Sequence, residues 1–386
     1  MDIINLFDFN FHLSTYPQVT NELDNWFIDL TVDIDPIQDF SNRYADLIGQ
    51  INIRIDEIEY FYTRNFQITP TKSSFNLKVD ISTSDYKLNL WWPLGYGSQK
   101  LYNTTVEVVI NGLSNLKSKM IGFRSIELVQ DQIDPKIDGL TFYFKINNVY
   151  TYLKGSNWIP ADSFQELITP DYLNWLLRSA RDANINILRV WGGGIYEQDL
   201  FYELADQYGV MIWQDFMFAC NFYPTNLDFL ANVHDEVVYQ VNRLRHHPSI
   251  VVWSANNENE AALATDWYHI SYDKDLYAKD YRKLYIDVVM QNILLIDPEL
   301  SRPFLSSSPT NGKETITENW IAKNPYDARY GDLHFYNYNA NGWDAISFPV
   351  ARLMSEFGVQ SLPSFSTLSD VYQMPDDADI FGDLNK

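Results

Sequence analysis

Leu200-Phe201-Tyr202-Glu203-Leu204-Ala205-Asp206-Gln207-Tyr208, followed after Gly209 by Val210-Met211-Ile212-Trp213, is the stretch on which the fold turns. The first nine residues carry apolar side chains at helical spacing, and the last four form an unbroken apolar run. An unbroken short run marks a strand covered on both faces, the usual condition of a parallel sheet. The same pairing recurs on either side. Leu173, Leu176, Leu177 and Ala180 share one helical face ahead of the run 185–190, and a helical pattern over 233–244 precedes Ile250-Val251-Val252-Trp253. Further strand candidates lie near 149–154, 303–307, 332–336 and 352–355, about seven in all. Strands alternating with helices predict either a doubly wound sheet or a (β/α)8 barrel. Gly192-Gly193-Gly194 follows a strand but lacks the GxGxxG spacing of a dinucleotide site, which favours the barrel.

Upstream the rhythm is different. Residues 28–35, 51–56 and 75–81 alternate between apolar and polar, and 106–110 and 120–128 supply further strand candidates. Short alternating strands separated by turn residues predict a small antiparallel sandwich of immunoglobulin-like size. The polar stretch 131–139, with Pro135 and Gly139, is the expected boundary. The chain therefore divides into a sandwich over 1–135 and a TIM-type barrel over 136–386. With so little sequence left after the seventh strand candidate, the barrel reads as truncated and incomplete at the C-terminus.

Composition narrows the partners. With 51 acidic and 28 basic residues among 386, the net charge is −23, the same sign as a nucleic-acid backbone or an anionic membrane surface. No apolar run is long enough for a transmembrane helix. The sequence opens Met1-Asp2-Ile3-Ile4-Asn5 with no visible signal peptide. Cys220 is the only cysteine, which excludes an intrachain disulfide framework.

In a barrel, reactive groups gather at the C-terminal ends of the strands. Those ends carry Arg189 and Trp191, Asp215, Asn256-Asn257-Glu258, His334 and Glu356. Two carboxyl groups suit glycoside hydrolysis, one protonating the leaving oxygen and the other attacking the sugar or activating water. Burial raises the pKa of one carboxyl, and an adjacent cation keeps the other ionised; Arg189 is the candidate cation for Glu356. Asn257 can hydrogen-bond a sugar hydroxyl, and Trp191 can cover the apolar side of a pyranose. A single glutamate after a strand is more often a helix-cap neighbour or a solvated charge. Two of them, beside Arg189 and tryptophans, leave the catalytic and structural readings evenly matched. Asp215 is equally open between a helper and a helix cap. Cys220 reads as buried or incidental, and His246-His247-Pro248 as a helix C-terminus rather than a ligand site.

Longer motifs go further. Lys154 to Asp162 (KGSNWIPAD), Arg189 to Glu197 (RVWGGGIYE), Trp253 to Glu260 (WSANNENE) and Ser355 to Ser364 (SEFGVQSLPS) resemble, in family order, the β-mannosidases of glycoside hydrolase family 2. Trp92 to Gly97 and Gly122-Phe123-Arg124 resemble that family's markers in the domain before the barrel. The resemblance implies a retaining exo-β-mannosidase of lysosomal type that uses no metal or cofactor and acts on β-mannoside oligosaccharides. In it, Glu258 is the acid/base and Glu356 the nucleophile. Asn257 holds the 2-hydroxyl, Trp191 lines the pocket, Arg189 orients the nucleophile, and His334 and Tyr338 lie in a pocket-lining segment. Alternatives are a family 2 β-galactosidase, β-glucuronidase or exo-β-glucosaminidase, or an inert fragment serving as an interaction module. Ala255 departs from the family's usual glycine. The family's N-terminal jelly roll and the barrel's eighth strand are not evident in this chain, which therefore reads as a fragment. Asn103-Thr104-Thr105 is a glycosylation sequon that fits a secretory route.

Overall fold

In the structure, a computed structural model, residues 7–19, 22–36, 48–67, 72–298, 301–359, 361–364 and 366–368 are described. Two units are distinguished: Met1–His334 with Val350–Ser355, and Phe335–Pro349 with Glu356–Lys386.

The first unit opens with β1 (Phe7–Val19), β2 (Glu22–Pro36), β3 (Ile48–Ile55), β4 (Tyr60–Gln67), β5 (Ser73–Ser82), β6 (Tyr102–Ile110) and β7 (Leu113–Ile121). They form two antiparallel sheets, in the orders β1-β2-β5 and β4-β3-β6-β7. The alternating residues face inward as their pattern requires. Phe9, Phe11, Leu13, Ile28, Leu30, Val32, Val79 and Ile81 from one sheet share a buried cluster with Ile51, Ile53, Val106 and Val108 from the other. β1 alternates from Phe7 to Leu13 as regularly as the strands singled out above, although the reading passed over it. The candidate 120–128 is split in two: β7 ends at Ile121, and β8 begins at Ile126.

Next come β8 (Ile126–Val129), β9 (Gln132–Asp134), β10 (Ile137–Leu140), β11 (Tyr143–Ile146) and β12 (Val149–Thr151). The stretch 131–139 thus holds most of the β9–β10 hairpin. The strand expected near 149–154 is not a parallel strand. Asn147 and Asn148 both take positive φ, 51° and 64°, and turn the chain so that Val149 pairs antiparallel with Ile146. Two adjacent asparagines suit such a two-residue hairpin turn.

The parallel sheet begins instead with β13 (Gly155–Trp158), and helices follow in alternation: α1 (Pro170–Asp182), β14 (Ile187–Val190), α2 (Asp199–Tyr208), β15 (Met211–Asp215), α3 (Leu227–Leu244) and β16 (Ile250–Ser254). Beyond them lie α4 (Asn259–Ala264), α5 (Lys274–Arg282), a π-helical segment Lys283–Met290, α6 (Gln291–Ile296), β17 (Phe304–Leu305) and α7 (Lys313–Thr317). Strands β13 to β17 lie side by side in chain order, all parallel. Strands β14, β15 and β16 are buried along their whole length, which is why 210–213 and 250–253 read as unbroken apolar runs, while β14 buries Arg189 among apolar neighbours. Thr169 caps α1 through its side chain, and Gly209 closes α2 at φ 72°, where a β-carbon would meet Leu94 N at 2.8 Å. Two further strands follow, β18 (Asp332–Tyr336) and β19 (Leu353–Gly358). Among the described residues, no helix is long and apolar enough to cross a membrane.

Buried arginines tie the sandwich to the parallel sheet. Arg124 donates to the carbonyls of Pro248 (3.1 Å), Ser301 (2.9 Å) and Ile250 (3.0 Å). On the sheet side, Arg302 braces the same carbonyl, donating to Ile250 O at 3.1 Å and to Asp297 Oδ2 at 2.6 Å. Arg245 reaches back to His12 O at 3.3 Å and to Thr31 Oγ1 at 3.2 Å on β1 and β2. Trp91, fully buried, donates its indole N–H to Asp206 O at 2.9 Å. Truncating Arg124 leaves buried carbonyls without a donor and opens a void. Arg124→Ala is therefore expected to cost about 3 kcal/mol, measured as a lower urea midpoint in an otherwise cooperative melt.

Candidate active site

The ends of β14, β15 and β16 converge on one buried polar network. Arg189, 4% exposed, donates from Nη2 to Asp215 Oδ2 (2.7 Å) and to Asn257 Oδ1 (2.7 Å), and from Nη1 to Asn157 Oδ1 (3.0 Å). Asp215, fully buried, also accepts from Gly192 N at 3.1 Å and from the Trp213 indole at 3.0 Å. Of the two roles left open for Asp215, the structure favours the helper: it anchors Arg189. Gly192 and Gly193 are small because space demands it. A β-carbon on Gly192 would sit 2.6 Å from Phe218 O, and one on Gly193 2.0 Å from the Trp191 ring.

Asn257 and Glu258 follow directly from β16. Asn257, 1% exposed, donates to Cys220 Sγ at 3.3 Å, while its backbone N–H donates to Phe218 O at 2.8 Å. Glu258 is the N-cap residue of α4, but in the left-handed region at φ 64°, with its N–H held by Ser308 O at 2.8 Å. A non-glycine residue in that region is strained, and such strain persists where surrounding contacts impose it. Its carboxylate is held from two sides. His334 Nδ1 lies 2.8 Å from Oε1, and the Cys220 thiol donates to Oε2 at 3.3 Å. Burial pushes the Glu258 carboxyl up. The His334 and Cys220 hydrogen bonds, with the positive charge of Arg189, outweigh it and hold the pKa below the ordinary glutamate value.

His334 is itself positioned by a polar row. Its Nε2 lies 3.0 Å from Ser308 Oγ, which donates to Asp332 Oδ2 at 2.7 Å. Ser355 donates to both Asp332 oxygens, from N at 2.9 Å and from Oγ at 2.7 Å. The first unit therefore brings Arg189, Asn257, Glu258 and His334 together and adds Asp215, Cys220, Ser308 and Asp332. Trp191, half-buried, follows β14 against Gly193.

The second unit holds Glu356 and Tyr338. Glu356 is 8% exposed and accepts from the Tyr336 hydroxyl at 2.9 Å. Tyr338 lies past the end of β18 and is 57% exposed. Sequence reasoning passed over Tyr336, although strand alternation puts it on the same side as His334. It also set Cys220 aside, because nothing in the sequence links a lone cysteine to a glutamate in a later strand.

Two residues beyond Glu258 lies a second buried glutamate. Glu260 accepts from Ala322 N at 2.8 Å and from Thr315 Oγ1 at 3.2 Å. Burial raises its pKa from 4.5 to about 8. Between those values the unfolded chain releases a proton that the folded chain retains, so stability falls as pH rises through this window and levels off above it. Glu260→Gln is expected to remove a slope of up to about 1.4 kcal/mol per pH unit, read from urea midpoints at several pH values between 5 and 8.

Comparison with known proteins places this geometry. No family model matches the chain. The β-D-mannosidase of Dictyoglomus thermophilum superposes with a TM-score of 0.77 at 31% identity, covering 95% of this chain and 42% of that one. This fold is that of a glycoside hydrolase, with Glu258 directly after β16 and Glu356 within β19. Among curated relatives, the β-mannosidase of Rattus norvegicus is 46% identical over 367 residues, 95% of this chain and 41% of that protein. That of Capra hircus is 45% identical over 374 residues, with 96% and 41% covered. The chain belongs to the β-mannosidase family. It spans about two fifths of the length of these relatives.

Proposed function

We propose that the chain carries the catalytic carboxyl groups of a retaining exo-β-mannosidase, which removes terminal β-linked mannose from oligosaccharides and glycoproteins. The observation that carries this reading is the hydrogen-bonded setting of Glu258, in a chain whose relatives are named β-mannosidases over nearly its whole length. Five parallel strands in chain order, with β18 and β19 after them, support a TIM-type barrel.

In the first step Glu356 attacks the anomeric carbon while Glu258, protonated, gives its proton to the departing oxygen. In the second, Glu258 takes a proton from water, which displaces Glu356 and restores the starting configuration. The Tyr336 hydroxyl donates to Glu356 in the ground state and stabilises its charge. Asn257, oriented by Arg189 and Cys220, is set to hold the 2-hydroxyl. Trp191 and Tyr338 are carried as sugar-binding residues. Arg189, held by Asp215, is the residue assigned to orient the nucleophile. His334 and Cys220 hold the Glu258 carboxyl below its ordinary value in the free chain. The resemblance implies a lysosomal setting.

An aryl β-mannoside tests the reading. Turnover is expected, with Glu356→Ala abolishing it and Glu258→Ala reducing it by about 10²–10⁴-fold on substrates needing acid assistance. Azide should restore the Glu258→Ala variant and yield β-mannosyl azide, whereas an α-configured product would sink the double displacement. Preferential release from an aryl galactoside, glucuronide or glucosaminide would assign the chemistry to another sugar. A second test addresses His334. His334→Phe removes the contact that lowers the Glu258 pKa, so the alkaline limb of the kcat/KM profile should move to higher pH. An unmoved limb would show that His334 does not set it.

A further inference from the structure

Ser308 touches both members of the Glu258–His334 pair. Its carbonyl accepts the Glu258 backbone N–H at 2.8 Å, and its hydroxyl lies 3.0 Å from His334 Nε2. The same hydroxyl lies 2.7 Å from Asp332 Oδ2. Ser308, Asp332 and His334 are 0%, 1% and 5% exposed, so their hydrogens are allotted within the cluster and not by solvent.

Counting hydrogens along this row fixes the form of the ring. A serine hydroxyl has one hydrogen to give and lone pairs to accept others. The shorter contact, to a carboxylate, takes that hydrogen; otherwise two acceptor oxygens would face each other at 2.7 Å. Ser308 Oγ can then only accept from His334, so Nε2 carries the N–H. In a neutral imidazole the other nitrogen is a bare acceptor. Yet Nδ1 lies 2.8 Å from Glu258 Oε1, a contact that needs a hydrogen between the two atoms. That hydrogen sits on Oε1, with a neutral ring and Glu258 as the acid, or on Nδ1, with an imidazolium facing a carboxylate. The two forms differ by a single shift, in which the O–H bond breaks as the N–H bond forms. A neutral ring with its hydrogen on Nδ1 would serve an ionised Glu258 equally well, but its Nε2 would then meet Ser308 Oγ lone pair to lone pair. Within the first unit, Asp332, Cys220 and Arg189 also face the pair.

We propose that Ser308 and Asp332 are positioning residues that hold His334 in its Nε2–H form, so that the ring and Glu258 share one proton between Nδ1 and Oε1. The acid/base group is then the pair, which gains and loses that proton as a unit. The catalytic consequence rests on the mannosidase reading above; the ring form does not. Nitrogen-15 NMR of protein labelled in its imidazole rings tests it, with the His334 signals identified by their loss in His334→Phe. In wild type, Nε2 is expected to be protonated at every pH at which the chain is folded, whether or not Nδ1 is. Ser308→Ala, which removes the acceptor, is expected to yield a neutral ring protonated on Nδ1. Ser308→Thr, which keeps the hydroxyl, is expected to retain the wild-type pattern. Thermal melts check that the variants remain folded. In parallel, kcat/KM for methyl β-mannoside relative to that for a dinitrophenyl β-mannoside, whose leaving group needs no acid, is expected to fall about tenfold in Ser308→Ala. A wild-type ring protonated on Nδ1 alone overturns the proposal, as does an unchanged pattern in Ser308→Ala. An unchanged ratio in a variant whose ring form has moved overturns the link to catalysis. Absence of turnover on every β-mannoside overturns the enzymatic reading alone, because the NMR pattern is read without substrate.

Discussion

The ion pair of Arg189 and Asp215 is the constraint on which the site depends. Both groups are buried, at 2.7 Å, and each stands at or near the end of a different strand. A charge in that position is tolerable only if its partner and hydrogen bonds are complete, and loss of one member costs about 3–5 kcal/mol. The remaining Arg189 donors reach Asn157 and Asn257, so one guanidinium on β14 fixes side chains at three other strand ends. Asn257 then contacts Cys220, and Cys220 contacts Glu258. The orientation of Glu258 is thus set by a chain of fixed groups, not by solvent.

Much of this was legible in the sequence, and for definite reasons. Burial on both faces forces unbroken apolar runs, so β14, β15 and β16 could be located, with Arg189, Asp215 and Asn257 at their ends. Burial on one face forces alternation, which marked β2, β3 and β5. What failed depended on turns and on distant partners. The parallel sheet starts at Gly155 because Asn147 and Asn148 reverse the chain, a local signal hidden inside a polar-apolar stretch. Cys220 and Ser308 acquire their roles only when β15 and β17 are adjacent to β16, which no local pattern states. The expectation that burial would raise the pKa of the acid was half right. Burial does act that way on Glu258, but His334 and Cys220 reverse the outcome.

Glu258 and Glu260 show how two neighbouring carboxyl groups are driven apart. Each is removed from water, yet one is met by an imidazole and a thiol, the other by a backbone N–H and a hydroxyl. The first is held low and the second is raised to about 8. Side-chain type says nothing about which is which; the donors do. Glu260 holds the start of α4 against the segment around Thr315 and Ala322, and Glu258 is the N-cap residue of the same helix.

The arginines between the sandwich and the parallel sheet bear on how such proteins can diverge. Arg124 reads no side chain across the junction; it grips the main-chain carbonyls of Pro248, Ile250 and Ser301. Carbonyls survive almost any substitution, so sequence drift on the sheet side leaves the joint intact. Shape is less forgiving: at Gly122 a single added carbon would fall 2.8 Å from Pro248. A sandwich transplanted from a distant relative would therefore need to bring a glycine and an arginine in this spacing, along with the Trp91 indole and Thr31 hydroxyl that also cross the joint.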